Sequence, residues 1–397
     1  MQRAVKLIRA LLGLYVGISF IFIGNGLAIT SAGVILKGGG YSELAIGLVT
    51  SCFFLGAMCS TIFTYSFISA FGYVRSYAIL TALFALSALF HNFWSNIFYW
   101  AILRFFLGFS YYSIVMIVES LLNTKSTNKN RSVFLGLYEI IYYASFGIGV
   151  LFLSLKLDSS YIILISASFI VLGSIPVNII GIREPRLPPK RKLFIPNIFG
   201  VVPLALFSTF VGGIALNGFF SMGSVYVLNL GQDVSMISLF MIVAMVGGFV
   251  SQIFFGLYSY KIGRKYSIML AASTGLVAST LMVLFSDNFL AQILLVFFIG
   301  FGTFCLYVLG LARANDVLHD KSKTVEIGAA LLLSYTTGSL FGPLIAGLFM
   351  KMFGSKGFML VYVVALFALI VFALYQRQVP KEDRSDEFPT SKLTESL

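Results

Sequence analysis

Arg183-Glu184-Pro185-Arg186-Leu187-Pro188-Pro189-Lys190-Arg191-Lys192-Leu193-Phe194-Ile195-Pro196 sets five cations, one acid and four prolines in the middle of an apolar chain. Proline has no backbone donor and disfavours helix, so this stretch reads as extended and hydrated. Six long apolar spans precede it and six follow. It is expected to be a cytoplasmic hinge between two membrane-embedded halves.

Composition supports that reading. Of 397 residues, 59% are hydrophobic and 11% charged, and the mean hydropathy is +0.96. A soluble core needs no such apolar excess, whereas a multi-helix membrane protein does. The net charge of +12 does not make this a nucleic-acid-binding protein, because the cations sit in short loops between apolar spans. Cys52, Cys59 and Cys305 lie inside spans, and the first two are about 10 Å apart along one helix. Neither a disulfide framework nor a metal site is implied. The N-terminus has the charge pattern of a signal peptide, but its apolar run from Leu7 to Leu36 is too long, so it reads as a retained first helix.

The expected spans are 7–36, 45–68, 76–94, 97–122, 132–154 and 160–182, then 198–228, 236–259, 266–286, 289–312, 326–350 and 358–376. Each reaches or approaches the ~20 residues that cross a bilayer, and backbone pairing in lipid requires helices. The expected architecture is an all-α membrane protein of twelve helices in two pseudo-symmetric six-helix bundles, 1–182 and 197–376. A linker at 183–196 joins them, and a disordered polar tail follows at 377–397. Of the 27 Lys and Arg, 22 fall on the side of the N-terminus and four on the other. That bias places both termini in the cytoplasm. Gly38-Gly39-Gly40 reads as an external turn, without the context of a phosphate-binding loop.

The halves repeat. Phe105-Phe106-Leu107-Gly108-Phe109 returns as Phe297-Phe298-Ile299-Gly300-Phe301, and Asn25-Gly26 returns as Asn217-Gly218, both displaced by 192. Gly136 and Gly328, and Tyr143 and Tyr335, share that offset, while Gly72 and Gly263 are displaced by 191. Two six-helix units in one orientation form the parallel repeat in which a midplane site alternates between faces.

On these residues the chain resembles a major facilitator superfamily transporter, from residue 1 to about 376. Gly256-Leu257-Tyr258-Ser259-Tyr260-Lys261-Ile262-Gly263-Arg264-Lys265 resembles that superfamily's loop signature, and Arg104-Phe105-Phe106-Leu107-Gly108 its fourth-helix R-x-x-x-G motif. Arg75-Ser76-Tyr77, Val118-Glu119-Ser120, Asn130-Arg131 and the long run Ala330 to Pro343 resemble the YcaD-like branch of bacterial transporters. The resemblance implies a fold of two six-helix bundles, a bacterial inner-membrane location and a transported small molecule. Two departures stand out. Ser69 and Tyr260 replace the signature's acid, and the fifth span lacks the Gly-Pro element of drug/proton antiporters.

Ionisable and polar groups inside a span need a reason to be there. Arg104 lies about 10 Å inside the fourth span. It either holds a substrate anion or switches partners during transport, or else bonds helix carbonyls as a structural group. Glu119 lies about 60° around the same helix from Arg104 and is a candidate gate partner of Arg75 or Arg131, with a solvated helix end and proton carriage as the alternatives. Asn25 and Asn217 are expected either to line a cavity or to join helices. Tyr111, Tyr112, Ser334 and Tyr335 complete the expected substrate-binding set. Gly342-Pro343 is expected to bend the eleventh helix as part of the gate. Glu139, about 10 Å into the fifth span with Tyr142 and Tyr143 on its face, is the candidate proton carrier. The position equivalent to it in the second half is Leu331. His91 and His319 are expected to be solvated at span ends.

The function expected is secondary active transport of a small organic solute by alternating access, with a buried Arg among few buried acids favouring an anionic or zwitterionic one. Protons are the expected coupling ion, because no ATP-hydrolysing motif is present. Efflux of drugs or metabolites is the nearest alternative, and a transport-inactive receptor or assembly factor is the alternative of another class. No enzyme chemistry, cofactor, metal or nucleic acid is expected. The protein is expected to work as a monomer among membrane lipids.

Overall fold

A computed structural model describes residues 2–125, 131–179, 202–317, 324–381 and 384. The hinge at 183–196, His319 and most of the tail lie outside the described residues. What is described is almost wholly helical: α1 (Gln2–Gly38), α2 (Glu43–Phe71), α3 (Tyr73–Phe90), α4 (Ile97–Lys125), α5 (Arg131–Leu151), α6 (Ser159–Ile179), α7 (Pro203–Asn229), α8 (Val234–Ile262), α9 (Arg264–Leu284), α10 (Phe289–Thr303), α11 (Leu306–Val317), α12 (Thr324–Phe353) and α13 (Lys356–Leu374). Helices α10 and α11 form one span, Phe289–Val317, so the described residues contain twelve stretches long and apolar enough to cross a membrane. This is the expected all-helical membrane architecture.

The helices fall into two compact units. Unit 1 takes the chain to Ile35 and resumes at Cys52. Unit 2 takes the described residues from α7 onward, together with Leu36–Ser51, the end of α1 and the start of α2. Hydropathy does not reveal the assignment of 36–51, because packing decides it. Within unit 2, a Cβ on Gly47 would overlap the carbonyl oxygen of Pro343, and one on Gly347 that of Glu43. Glu43 also pairs with Lys37 and accepts from Asn229 Nδ2 at 3.2 Å.

Lipid offers helices little hydrophobic gain from association, so close approach through small residues carries the packing. The repeated motifs lie at such approaches. In unit 1, a Cβ on Gly56 would overlap the Phe105 carbonyl, and one on Gly108 that of Phe53. In unit 2, Gly247 faces the Phe297 carbonyl and Gly300 that of Ala244 in the same way. The Phe-Phe-x-Gly-Phe repeat is therefore the seam between α2 and α4, and again between α8 and α10. The Gly72/Gly263 match also has a backbone cause. Both residues join consecutive helices at positive φ, 82° and 97°, where a side chain would be strained.

Candidate functional site

The seam motif brings Arg104 into unit 1 with it. Arg104 sits one turn before Gly108 and is 4% exposed. Its Nη2 donates to the carbonyl of Ala28 at 3.0 Å, and its guanidinium stands 5.8 Å from the centre of the Trp100 ring. Beside it is a cavity of about 20 Å³ lined by Ser31, His91, Trp100 and Ser166, among others. That volume suits one water and not an organic solute. Nε of Arg104 and Nε2 of His91 are both buried without a hydrogen-bond partner.

His91 departs from the sequence expectation. It is 6% exposed, packs edge-on against Trp100 at 4.6 Å and places Nδ1 2.6 Å from the Ser87 carbonyl. Burial, with the Arg104 charge nearby, pushes its pKa down to about 3. The imidazole is therefore neutral at pH 7, with Nδ1–H as donor and Nε2 as acceptor. The nearest sequence signal for this burial is Trp100, more than two helical turns away in chain terms and across a loop.

Further along α4, Tyr111 and Tyr112 enter an aromatic cluster. Their rings are 5.2 Å apart, and Phe22 of α1 lies 6.3 Å from Tyr111, 5.5 Å from Tyr138 and 5.0 Å from Tyr142. Phe53 stands 6.0 Å from Tyr112. Aromatic pairs at these separations favour edge and offset contacts, which fix the tyrosines and leave their hydroxyls as the polar elements of the patch. One turn or two beyond, Tyr138 is in hydrogen-bonding reach of Glu119, and the Glu119 and Glu139 carboxylates are near enough to interact electrostatically. Glu119, expected at a gate with Arg75, thus keeps company with Glu139 and Tyr138. Arg75 is exposed and forms no ion pair with Glu119. Arg131 begins α5, and its side chain lies outside the described residues.

Unit 2 gathers the second group of expected residues. Asn217 Nδ2 donates to Tyr335 Oη at 3.0 Å and to Ser339 Oγ at 2.7 Å. Tyr307 of α11 packs on Tyr335 with ring centres 4.9 Å apart. Ser334 turns the other way and donates to the Leu206 carbonyl at 2.8 Å. Gly342 meets the backbone of Ile214, and Pro343 lies inside α12. Asn25, the repeat partner of Asn217, is 1% exposed and its Oδ1 has no hydrogen-bond partner. The repeat locates both amides but does not identify Ser339, which lies one turn past Tyr335 and escapes attention as an ordinary helix serine.

The loop signature's lost acid is replaced from elsewhere. Arg264 is 1% exposed, donates from Nη1 to Ser259 Oγ at 2.8 Å and sets Nε 3.9 Å from Asp316 Oδ2 of α11. Tyr260, standing where the acid would be, places its ring 5.8 Å from the same guanidinium. A partner 52 positions away in the chain leaves no local motif to read.

Among the described residues, no group of three or more His, Cys, Asp or Glu is placed to hold a metal ion. A family model described as Major Facilitator Superfamily matches residues 14–325 and 204–395. Curated relatives include the MFS-type transporter YcaD of Escherichia fergusonii, 27% identical over 319 residues covering 78% of this chain and 81% of the relative. YcaD of Salmonella typhi is 26% identical over 342 residues, covering 84% and 86%. Among solved structures, a mutant of the nucleoside transporter NupG superposes with a TM-score of 0.75 at 14% identity, covering 92% of this chain and 98% of that one. A bacterial homologue of the human lysosomal transporter Spinster, inward-facing and occupied, superposes at 0.68 with 13% identity, covering 97% and 98%. This chain is a multi-pass membrane protein of the major facilitator superfamily, similar over most of its length to the YcaD transporters.

Proposed function

We propose that this protein is a proton-coupled secondary active transporter of the bacterial inner membrane, moving a small organic solute by alternating access, with both termini in the cytoplasm. The observation that carries the reading is that Glu119 and Glu139, on two different spans, lie near enough to interact electrostatically, with Tyr138 in reach of Glu119 and Glu139 on an exposed position of α5. Carboxylates are costly within a bilayer and mark proton or ion pathways when they cluster. A pair that loads one proton and releases it on the other side supplies the coupling. Glu139 is the carrier, and Glu119 with Tyr138 sets the proton's alternative resting place.

The solute is polar with a flat portion. Supporting this are the tyrosines at 111, 112, 138 and 142 in unit 1, and the amide–hydroxyl group Asn217, Tyr335 and Ser339 in unit 2. Arg104 serves an anionic or zwitterionic solute only if it leaves Ala28, so its first role is to hold α4 against α1. Gly342-Pro343, Arg75 and Arg131 act in gating. The protein works as a monomer. The test is counterflow in proteoliposomes with a metabolite panel that includes nucleosides, amino acids and organic acids, with and without a pH gradient. Uptake of one class that rises with an imposed gradient is expected; uptake of none, in vesicles where the protein is shown to be folded, would turn the reading toward a receptor or assembly factor.

A further inference from the structure

The described end of unit 2 on the N-terminal side gathers guanidinium groups that the transport reading leaves unused. Arg264 and Arg313 are 1% and 6% exposed, and Asp316 is the carboxylate between them on the described residues. Arg384 adds a third guanidinium, donating to the Tyr260 carbonyl. Guanidinium groups gathered at one place attract an anionic ligand.

A cavity of about 290 Å³ opens beside this cluster. One wall is the first turn of α7, Val202 to Ala205; the others are Arg313 and Val317 of α11 and the Tyr375 to Arg377 segment. Val202 gives α7 no side-chain cap, and Pro203 follows it. The N–H groups of Leu204 and Ala205 thus have no partner inside the helix, at the positive end of a 27-residue dipole. Arg313 supplies the second, independent sign of a ligand. Its Nη2 is held by the Arg377 carbonyl, while Nη1 is buried with no partner. Arg377 itself stands exposed at the rim, next to Leu374 and Tyr375, which are 59% and 83% exposed.

We propose that this cavity binds a phosphate group, and specifically the headgroup phosphate of an anionic phospholipid. The α7 first turn and Arg313 receive its oxygens, Arg377 closes over it, and Leu374 and Tyr375 meet the acyl chains. Helix N-termini bind phosphate through these same backbone donors, and guanidinium adds charge-assisted bonds. The orientation proposed above puts the site in the inner leaflet; the phosphate chemistry does not depend on that orientation.

The test is native mass spectrometry of the full chain, purified in detergent and titrated with phosphatidylglycerol, phosphatidylcholine or inorganic phosphate. Phosphatidylglycerol is expected to bind at roughly tenfold lower concentration than phosphatidylcholine, and Arg377→Gln to erase most of that difference, as for one charge-assisted hydrogen bond. Arg313→Gln is expected to act more strongly, but Arg377→Gln leaves the buried cluster intact and decides the matter if Arg313→Gln misfolds. Saturable inorganic phosphate binding that is lost in Arg377→Gln, without a lipid preference, would support the site with a free phosphate ester as its source. Equal adducts of both lipids, unchanged by Arg377→Gln, would mean ordinary boundary lipid and overturn the proposal. So would adducts that form only after Glu382→Gln and Asp383→Asn, since the chain's own acids would then be the counter-ions.

Discussion

Positions 25 and 217 carry the same Asn-Gly pair, 192 residues apart in two units built on one plan, yet the two amides live differently. Asn217 joins Tyr335 and Ser339, whereas Asn25 keeps a buried oxygen with no partner. The loop cations diverge as well: Arg75 is exposed, while Arg264 is buried against Asp316 and Ser259. The glycine seams do the opposite and agree in both units. The repeat thus preserves backbone approach, which depends on shape alone. Polar chemistry, which depends on partners, has been distributed unequally: acids and tyrosines in unit 1, an amide–hydroxyl group and a buried ion pair in unit 2.

The largest effect expected from breaking this contrast is at the ion pair. Asp316→Asn leaves Arg264 buried without its carboxylate and should destabilise the protein by about 3–5 kcal/mol, read as a fall in melting temperature in detergent. Arg75→Gln, at the corresponding loop of unit 1, should change stability by less than about 0.5 kcal/mol because its side chain is in solvent. Equal losses in the two variants would deny that the loops differ.

The seams sharpen the comparison from the other side, since there the units should respond alike. Gly108→Ala and Gly300→Ala each drive a methyl into a carbonyl oxygen that backbone packing cannot move aside. Each should cost about 1–3 kcal/mol as overpacking, with reduced yield of folded protein. A large loss in one and none in the other would show that the shared motif serves one unit only.

That much of the fold was legible from sequence alone, and the reason is physical. Spans are written in hydropathy, the seams in glycine spacing, and the turns at Gly72 and Gly263 in backbone conformation. The site was legible only in part. Asn217 and Tyr335 met as amide and hydroxyl, because the repeat pointed to both. Ser339, Tyr138, Asp316 and the burial of His91 were not readable, because each acts through a residue from another helix. The attachment of 36–51 to unit 2 was hidden for the same reason: Gly47 and Gly347 make it, and they are 300 residues apart.

A smaller effect separates the amides. Asn217→Ala removes two hydrogen bonds and should cost about 1–3 kcal/mol in stability, with a several-fold rise in apparent KM once a solute is in hand. Asn25→Ala removes an oxygen that bonds nothing and should cost less than about 1 kcal/mol. If Asn25→Ala raises KM while leaving stability unchanged, that free oxygen is a solute contact, and the amides have divided their work between binding and packing.

The claim that unit 1 carries the proton is tested most directly at Glu139. Glu139→Gln keeps size and hydrogen bonding but cannot release a proton in the working pH range. In proteoliposomes holding the purified variant, solute exchange at equal pH should run at the wild-type rate, while accumulation driven by an imposed pH gradient should be lost. Gradient-driven accumulation in Glu139→Gln at the wild-type level, with its pH dependence unaltered, would contradict the account.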